Sequence, residues 1–323
     1  MFDAVKIHNF RGLRNIDVHL ARLTVLIGPN NSGKTSFLQA IDLSTQRHAS
    51  GSLPIGPASH WRSDIANPIS IKVNERVLDL IIDSRGQARL GTYNPVAKAL
   101  SFEPVALFRL PFDIKMSSKG FEDVAHANRL ELGSSGENVA AMIDYMLRRA
   151  RDRFDLMVVE ARKLIPGLQS LNVSTPKADV RRLDLVMEGG WEMPADNASA
   201  GVRMLLFFLA LTHRPDPPRT ILIEEPENGI HPLRLESIMQ MLIRLADSED
   251  GPQVILTTHS PYLLDCLDLE KHSVLVFARD EEGGCTAKEI DAVRLKPFLN
   301  EFMLGEVWMN QGERELVNGG PLE

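Results

Sequence analysis

The stretch "VLIGPNNSGKTSFLQAI", residues 25–41, leaves few folds open. It carries the pattern G-x-x-x-x-G-K-[ST] from Gly28 to Thr35, after a β-like apolar run (Leu23 to Ile27) and before an amphipathic run (Ser36 to Ile41). Strand, glycine-rich turn and helix in that order make a phosphate cradle. Glycine lets the backbone turn without side-chain clash, and successive N–H groups at a helix N-terminus face an anion. Lys34 supplies a point charge and the Thr35 hydroxyl can ligate magnesium. The residues expected to hold the phosphates are Asn30, Asn31, Ser32, Gly33, Lys34, Thr35 and Ser36.

A chain of 323 residues with 44% hydrophobic and 24% charged residues buries a large core, as one big α/β unit with an inserted lobe or as two domains. The formal net charge of -7 opposes indiscriminate attraction to nucleic acid, so contact with DNA would need a local basic patch. Two candidates are Lys6, His8, Arg11 and Arg14 near the first strands, and Arg148, Arg149, Arg151 and Arg153 on a long helix. A solvated, ion-paired face is the favoured reading of both. Two cysteines, Cys266 and Cys285, make neither a disulfide framework nor a metal knuckle and read as reduced structural thiols. The N-terminus becomes strand-like at once, without a charged leader and apolar h-region. The longest apolar run, Met204 to Leu211, is too short to span a bilayer. A cytoplasmic protein with no membrane contact is expected.

"VKIHNF" and "IDVHL" alternate apolar with polar residues, as half-buried strands do. Residues 48–68 read as a loop or linker, and strand-like pieces from Ile69 to Phe112 suggest a small sheet. Residues 137–166 read as one or two helices closed by Pro166, without the heptads of a coiled-coil arm. "LQSLNVS" and "RRLDLVMEGG" look like paired strands. From residue 198 onward helices alternate with the apolar strands "RTILIEEPE" and "QVILTTHS", the pattern of a mostly parallel, covered sheet.

Three segments narrow what the cradle serves. "TILIEEPENGIHP", residues 220–232, is an apolar strand whose exit carries Glu224 and Glu225. One carboxylate at such an exit can hold magnesium through its water shell, while the next can align or deprotonate a hydrolytic water. "TTHSP", residues 257–261, puts His259 at another strand exit, where an imidazole can donate to a terminal phosphate. In "NASAGVRMLLFFLAL", residues 197–211, Ser199 sits at a helix cap, and Ala200 and Gly201 keep the helix start open.

The order and spacing of these four segments resemble the ABC-type ATPase heads of the RecF/SMC group, and most closely the stand-alone "AAA family" ATPases related to the OLD (overcoming lysogenisation defect) proteins. "IHNFRGLRNIDVHLARLTVLIGPNNSGKTSFLQAI", "ILIEEPENGIHP", "VILTTHSPYLLD" and the tail "VLVFARDEEGG" with "FLNEFMLGEVW" carry the likeness; residues 46 to about 130 hardly contribute. The resemblance implies a P-loop NTPase of ABC/SMC-head type. Its central sheet would be mostly parallel and flanked by helices, with an antiparallel N-terminal sheet and an inserted α/β lobe. The core would comprise residues 1–45 and 167–323, and the lobe, with a small sheet and a helical arm, residues 46–166.

In such heads Gly28, Gly33, Lys34 and Thr35 would be the Walker A contacts to ATP and magnesium. Glu224 would be the magnesium-side Walker B acid, Glu225 the catalytic base and His259 the switch histidine. Ser199 with Gly201 would form the signature that touches nucleotide bound to another subunit, so a complete site would need two chains. Glu224 stands where Asp is usual, N-A-S-A-G stands for L-S-G-G, and the glutamine that links cradle to lobe has three candidates, Gln39, Gln46 and Gln87. The resemblance implies a magnesium-dependent ATPase that dimerises around ATP and switches a partner, through a separately encoded effector in antiphage defence or DNA repair. An ATP-gated assembly scaffold, a DNA-binding repair ATPase and a transporter-coupled ATPase are the alternatives. Too little chain follows "THSPYLLD" for the Toprim nuclease of OLD proteins, and "RDEEGG" reads as a hairpin turn.

Overall fold

The computed structural model describes residues 1–45, 59, 62, 69–74, 76–82, 88–93, 105–119 and 131–318. The expected loop at 48–68, apart from residues 59 and 62, lies outside them, as do Gln46 and Gln87. The chain forms two compact units, one of Met1–Leu107, Pro218–Glu225 and Glu249–Glu323, the other of Phe108–Pro217 and Pro226–Ser248.

The first unit begins with strands β1 (Ala4–Phe10), β2 (Leu13–His19) and β3 (Leu23–Ile27), then helix α1 (Lys34–Thr45). Strands β4 (Ile69–Val73), β5 (Arg76–Ile82), β6 (Ala88–Tyr93) and β7 (Val105–Arg109) follow, the last running across the division between the units. The second unit holds β8 (Ser117–Lys119), α2 (Val139–Arg149), α3 (Arg151–Leu164), β9 (Leu168–Lys177), β10 (Val180–Met187), β11 (Glu192–Pro194) and α4 (Ala200–His213). The chain returns to the first unit for β12 (Thr220–Glu224) and to the second for α5 (Pro232–Asp247). It ends in the first with β13 (Gln253–Thr257), α6 (Pro261–Leu264), β14 (Ser273–Arg279), β15 (Cys285–Glu289), α7 (Ala292–Leu299) and α8 (Leu304–Asn318).

Among the described residues the main sheet has 11 strands in the order β6-β5-β4-β1-β2-β15-β14-β3-β13-β12-β7. Its centre is parallel: β14 and β13 flank β3, and β12 lies beyond β13. Its wing is antiparallel, from β6 through β4 and β1 to β2. Burial follows that division. Every residue of β3 and β13 is buried, as continuous apolar runs covered on both faces require, whereas β1 alternates buried and exposed positions. The strand-like pieces after Ile69 do not form a sheet of their own, since β4 pairs with β1 and extends the wing. Hydrogen bonding to an open edge decides that, and no local sequence pattern records which edge is open.

The core of this unit gathers Phe10, Leu13, Ile16, Leu26, Phe37, Ile255, Leu275 and Phe277. Phe37 of α1 meets Phe277 of β14 edge to face, with ring centroids 5.4 Å apart, an arrangement that adds to simple area burial.

In the second unit β10 pairs antiparallel with β8, β9 and β11. Residues 137–166 make two helices, broken at Ala150, whose φ of -139° and ψ of 57° leave the helical region. Helix α3 packs on α4, and α4 on α5. Helix α4 is buried over Val202 and Met204 to Leu211, so its "MLLFFLAL" run is a core helix. No described helix is long and apolar enough to cross a membrane. Replacing Phe277 by Ala should cost about 3–5 kcal/mol, read as a lower urea midpoint; a cost under about 1 kcal/mol would contradict its place in the core.

Candidate functional site

Parallel register brings four strand ends together in the first unit. Val25 pairs with Leu256, Leu26 with Thr257, Ile27 with Val276 and Glu224 with Thr257, so the chain leaves β3, β12, β13 and β14 at one edge of the sheet. Crevices beyond the carboxyl ends of parallel strands are where such sheets take ligands.

Leaving β3, the loop from Gly28 to Gly33 is shaped by backbone that only certain residues tolerate. Gly28 has φ of 134° and Gly33 of 103°. A Cβ on Gly28 would stand 2.1 Å from the Phe277 carbonyl oxygen, and one on Gly33 2.8 Å from Leu13 Cδ2 and 3.0 Å from Cys285 Sγ. Both positions therefore need glycine for conformation and for space. Asn31 takes a left-handed φ of 66° between them. The buried Lys34 donates from Nζ to the carbonyls of Gly28 (2.6 Å) and Pro29 (2.9 Å), which places its charge inside the loop. Phe37 N–H donates to Gly33 O at 2.9 Å and opens helix α1 directly beneath. The Ser32 hydroxyl is buried and has no hydrogen-bond partner among the described residues, an arrangement that an anion in the loop would relieve.

The loop opens on a cavity of about 720 Å³ lined by Asn30, Asn31, Ser32, Gly33, Lys34, Thr35 and Ser36, together with Glu225 and His259. All seven expected cradle residues are thus brought together with two of the acid and imidazole candidates. Glu225 follows β12 with φ of 45°, a strained conformation for a side chain with a Cβ. Its N–H donates to both the carbonyl and the hydroxyl of Thr257, at 3.1 Å each, and these bonds hold the strained turn. His259 Nε2 lies 3.7 Å from Glu225 Oε1, close enough for electrostatic attraction and longer than a hydrogen bond. The turn bearing the imidazole is fixed by Thr258 N–H on Leu26 O (3.0 Å) and Ser260 N–H on Thr258 Oγ1 (2.9 Å).

Glu224 is the last residue of β12, half-buried, and is not among the residues lining the cavity. Thr35 lines the cavity and carries a hard hydroxyl oxygen, the chemistry magnesium takes, while the expected second ligand, Glu224, ends β12 outside that lining and would reach the metal through water. Among the described residues no three His, Cys, Asp or Glu side chains cluster. A magnesium ion here would be held with the help of substrate phosphate oxygens, its usual mode.

Ser199 and Gly201 belong to the second unit. Ser199 caps α4 with φ of -60° and ψ of 153°, accepting from Val202 N–H at 3.4 Å, as the sequence predicts. A Cβ on Gly201 would meet Arg234 Cδ at 3.4 Å, so the helix start there is flanked by a cation. Gln39, the described candidate for the linking glutamine, has a buried Oε1 without a hydrogen-bond partner among the described residues.

Four cavity residues were not foreseen as site residues, namely Gly12, Arg62, Arg279 and Cys285, while Arg11 was considered only for nucleic acid. Arg279 ends β14, and its guanidinium donates from Nε and Nη2 to Asn31 O. Burial pushes the Cys285 thiol above its ordinary pKa, which fits the structural role expected for it. The basic candidates for nucleic acid are ion-paired where partners are seen. Lys6 meets Asp17 (2.6 Å), Arg148 meets Asp144 (2.7 Å), Arg151 meets Asp155 (2.9 Å), and Arg14 meets Glu282.

A glycine-rich loop on a parallel sheet thus shares one cavity with a carboxylate and an imidazole from neighbouring strand ends, an arrangement suited to a nucleoside polyphosphate. The chain matches an "AAA ATPase domain" family over residues 1–80, and over residues 121–265 an AAA-domain family whose description names AbiEii and a type IV TA system. It is similar to the OLD nuclease of Thermus scotoductus, at 22% identity across 94% of this chain and 68% of that one. Its fold is that of SMC heads. A head bound to the C-winged helix domain of ScpA aligns with a TM-score of 0.59 at 12% identity, over 91% of this chain and 99% of that one. The Pyrococcus furiosus head with an extended coiled coil, bound to the C-terminal domain of ScpA, gives 0.56 at 11%, over 93% and 98%. These findings support an ATPase head related to OLD proteins.

Replacing Gly33 by Ala should weaken binding of a fluorescent ATP analogue by at least about fivefold, because strain at such a backbone position is of order 1–3 kcal/mol. Unchanged affinity in that titration would contradict the loop geometry.

Proposed function

We propose that the chain is a magnesium-dependent ATPase whose ATP-bound form pairs with a second copy, and whose hydrolysis resets that pairing to switch a partner. The observation that carries this reading is the placing of Glu225 and His259 on the same cavity as the cradle of Lys34, Ser32 and Thr35. In this mechanism Lys34 Nζ turns from the Gly28 and Pro29 carbonyls to the terminal phosphates, and loop N–H groups bind the same oxygens. Magnesium, held by Thr35 and by Glu224 directly or through water, would neutralise charge on the phosphates. Glu225 accepts a proton from water as its oxygen bonds to the γ-phosphorus and the bond to the β,γ-bridging oxygen breaks. His259 Nε2 donates to the γ-phosphate oxygens and steadies the charge that develops there.

Ser199 and Gly201, at the N-terminus of α4, would meet the γ-phosphate of nucleotide held by another copy. The helix dipole favours an anion there. A homodimer or a multiple of one follows from that arrangement. For the partner, a separately encoded effector in antiphage defence or DNA repair is the choice that the relatives favour. One relative is a nuclease, one family description names a toxin–antitoxin system, and the SMC heads are bound to domains of another protein.

Replacing Glu225 by Gln should lower the rate of phosphate release by about 10²- to 10⁴-fold while leaving ATP bound, since general-base contributions are of that size. Negligible turnover by the unaltered chain in the same assay would contradict an ATPase and favour an ATP-gated scaffold.

A further inference from the structure

The ATPase reading leaves unused the hairpin that joins β14 to β15 and the arginine at its base. Arg279 is exposed, yet its guanidinium is committed: Nε and Nη2 donate to the same carbonyl, Asn31 O, at 3.1 and 3.0 Å. Asn31 is the non-glycine residue of the cradle with left-handed backbone, and its peptide unit is held from the other side as well, where Ser32 N–H donates to Pro29 O at 3.3 Å. In a trans peptide the C=O and the following N–H point in opposite directions within the peptide plane, so these contacts hold one peptide unit at both of its edges.

Arg279 is itself well anchored. Strand β14 runs in parallel register with β3 as far as Val276 and Ile27, where the cradle begins. Beyond Arg279 the hairpin is closed by Asp280 N–H on Gly284 O (2.8 Å) and Gly284 N–H on Asp280 Oδ1 (2.6 Å). Cys285 N–H donates to Gly12 O at 2.8 Å, and Glu282 is met by Arg14 at its carboxylate and by Arg62 at its carbonyl. The base of the hairpin thus presents a guanidinium to the cradle from a fixed direction.

We propose that Arg279 is a positioning residue for the nucleotide: by fixing the Asn31 carbonyl it sets the shape of the phosphate loop before ATP arrives. The inference rests on the reading of the cavity as an ATP site. A loop preformed in its binding shape loses less freedom on taking the ligand, so the contribution appears in affinity. The same guanidinium joins Lys34, Arg11 and Arg62 among the cations that line the cavity, which suits a polyphosphate. Lysine is a poor substitute, because two donors in a planar fork become one flexible ammonium.

The test compares the full chain with Arg279→Ala, Arg279→Lys and Lys34→Ala, measuring affinity for a fluorescent ATP analogue, KM, kcat and Tm. Loss of charged hydrogen bonds to the loop should raise Kd and KM about tenfold in Arg279→Ala. The kcat should stay within about twofold, as expected when an interaction common to ground and transition states is removed. Tm without nucleotide should be unchanged, and Arg279→Lys should recover part of the affinity. Parent-like affinity in Arg279→Ala, a fall in kcat at constant KM, or a parallel fall in Tm would each overturn the proposal. Absence of binding by the parent chain, matching Lys34→Ala, would overturn the ATPase reading and this inference together.

Discussion

Parallel pairing of β14, β3, β13 and β12 is the constraint on which the rest of the site depends. Parallel strands must be covered on both faces, which is why β3 and β13 are apolar throughout and wholly buried. They also end at one edge, so the cradle, Glu225, His259 and Arg279 are neighbours although more than 200 residues separate the first from the last in sequence. The edge costs the backbone some strain, at Asn31 and Glu225, and the strand ends hold it there. Glu225 N–H is tied to Thr257, the residue that pairs with Glu224 in the sheet.

Close approach adds a second restriction. Gly28 lies against the Phe277 carbonyl and Gly33 against Leu13 and Cys285, so the phosphate loop is pressed onto β14, β2 and β15 with no room for a side chain. Phe277 thereby acts twice, through its backbone against the loop and through its ring against Phe37 of the helix that the loop opens. Core packing and the anion site are one construction, and a change that loosens the former is felt by the latter.

The positions of the cradle, Glu225, His259 and the Ser199 cap could be read from the sequence because each is a local pattern, residue types at fixed spacing beside a strand or a helix start, whereas Glu224 ends β12 outside the cavity lining. The parallel centre could be read from apolar runs alternating with helices, and the helical character of residues 137–166 from their apolar spacing, which left open whether one helix or two. What could not be read is adjacency. That β4 would pair with β1 depends on an edge hydrogen bond between distant segments. That Arg279 and Cys285 would line the cavity depends on β14 lying beside β3, an order set by topology and by no periodicity near "VFARDEEGGC". The tail yielded least, since α7 carries Pro297 inside it and α8 bends at Gly312, both of which interrupt a helical pattern.

The central claim is that the cavity takes ATP and closes between two copies of the chain, and the mass in solution of the Glu225→Gln protein tests it most directly. With hydrolysis blocked, light scattering with magnesium and ATP should report a dimer, or a multiple of one, that dissociates when nucleotide is removed. A monomer at every ATP concentration, with nucleotide demonstrably bound, would contradict the account.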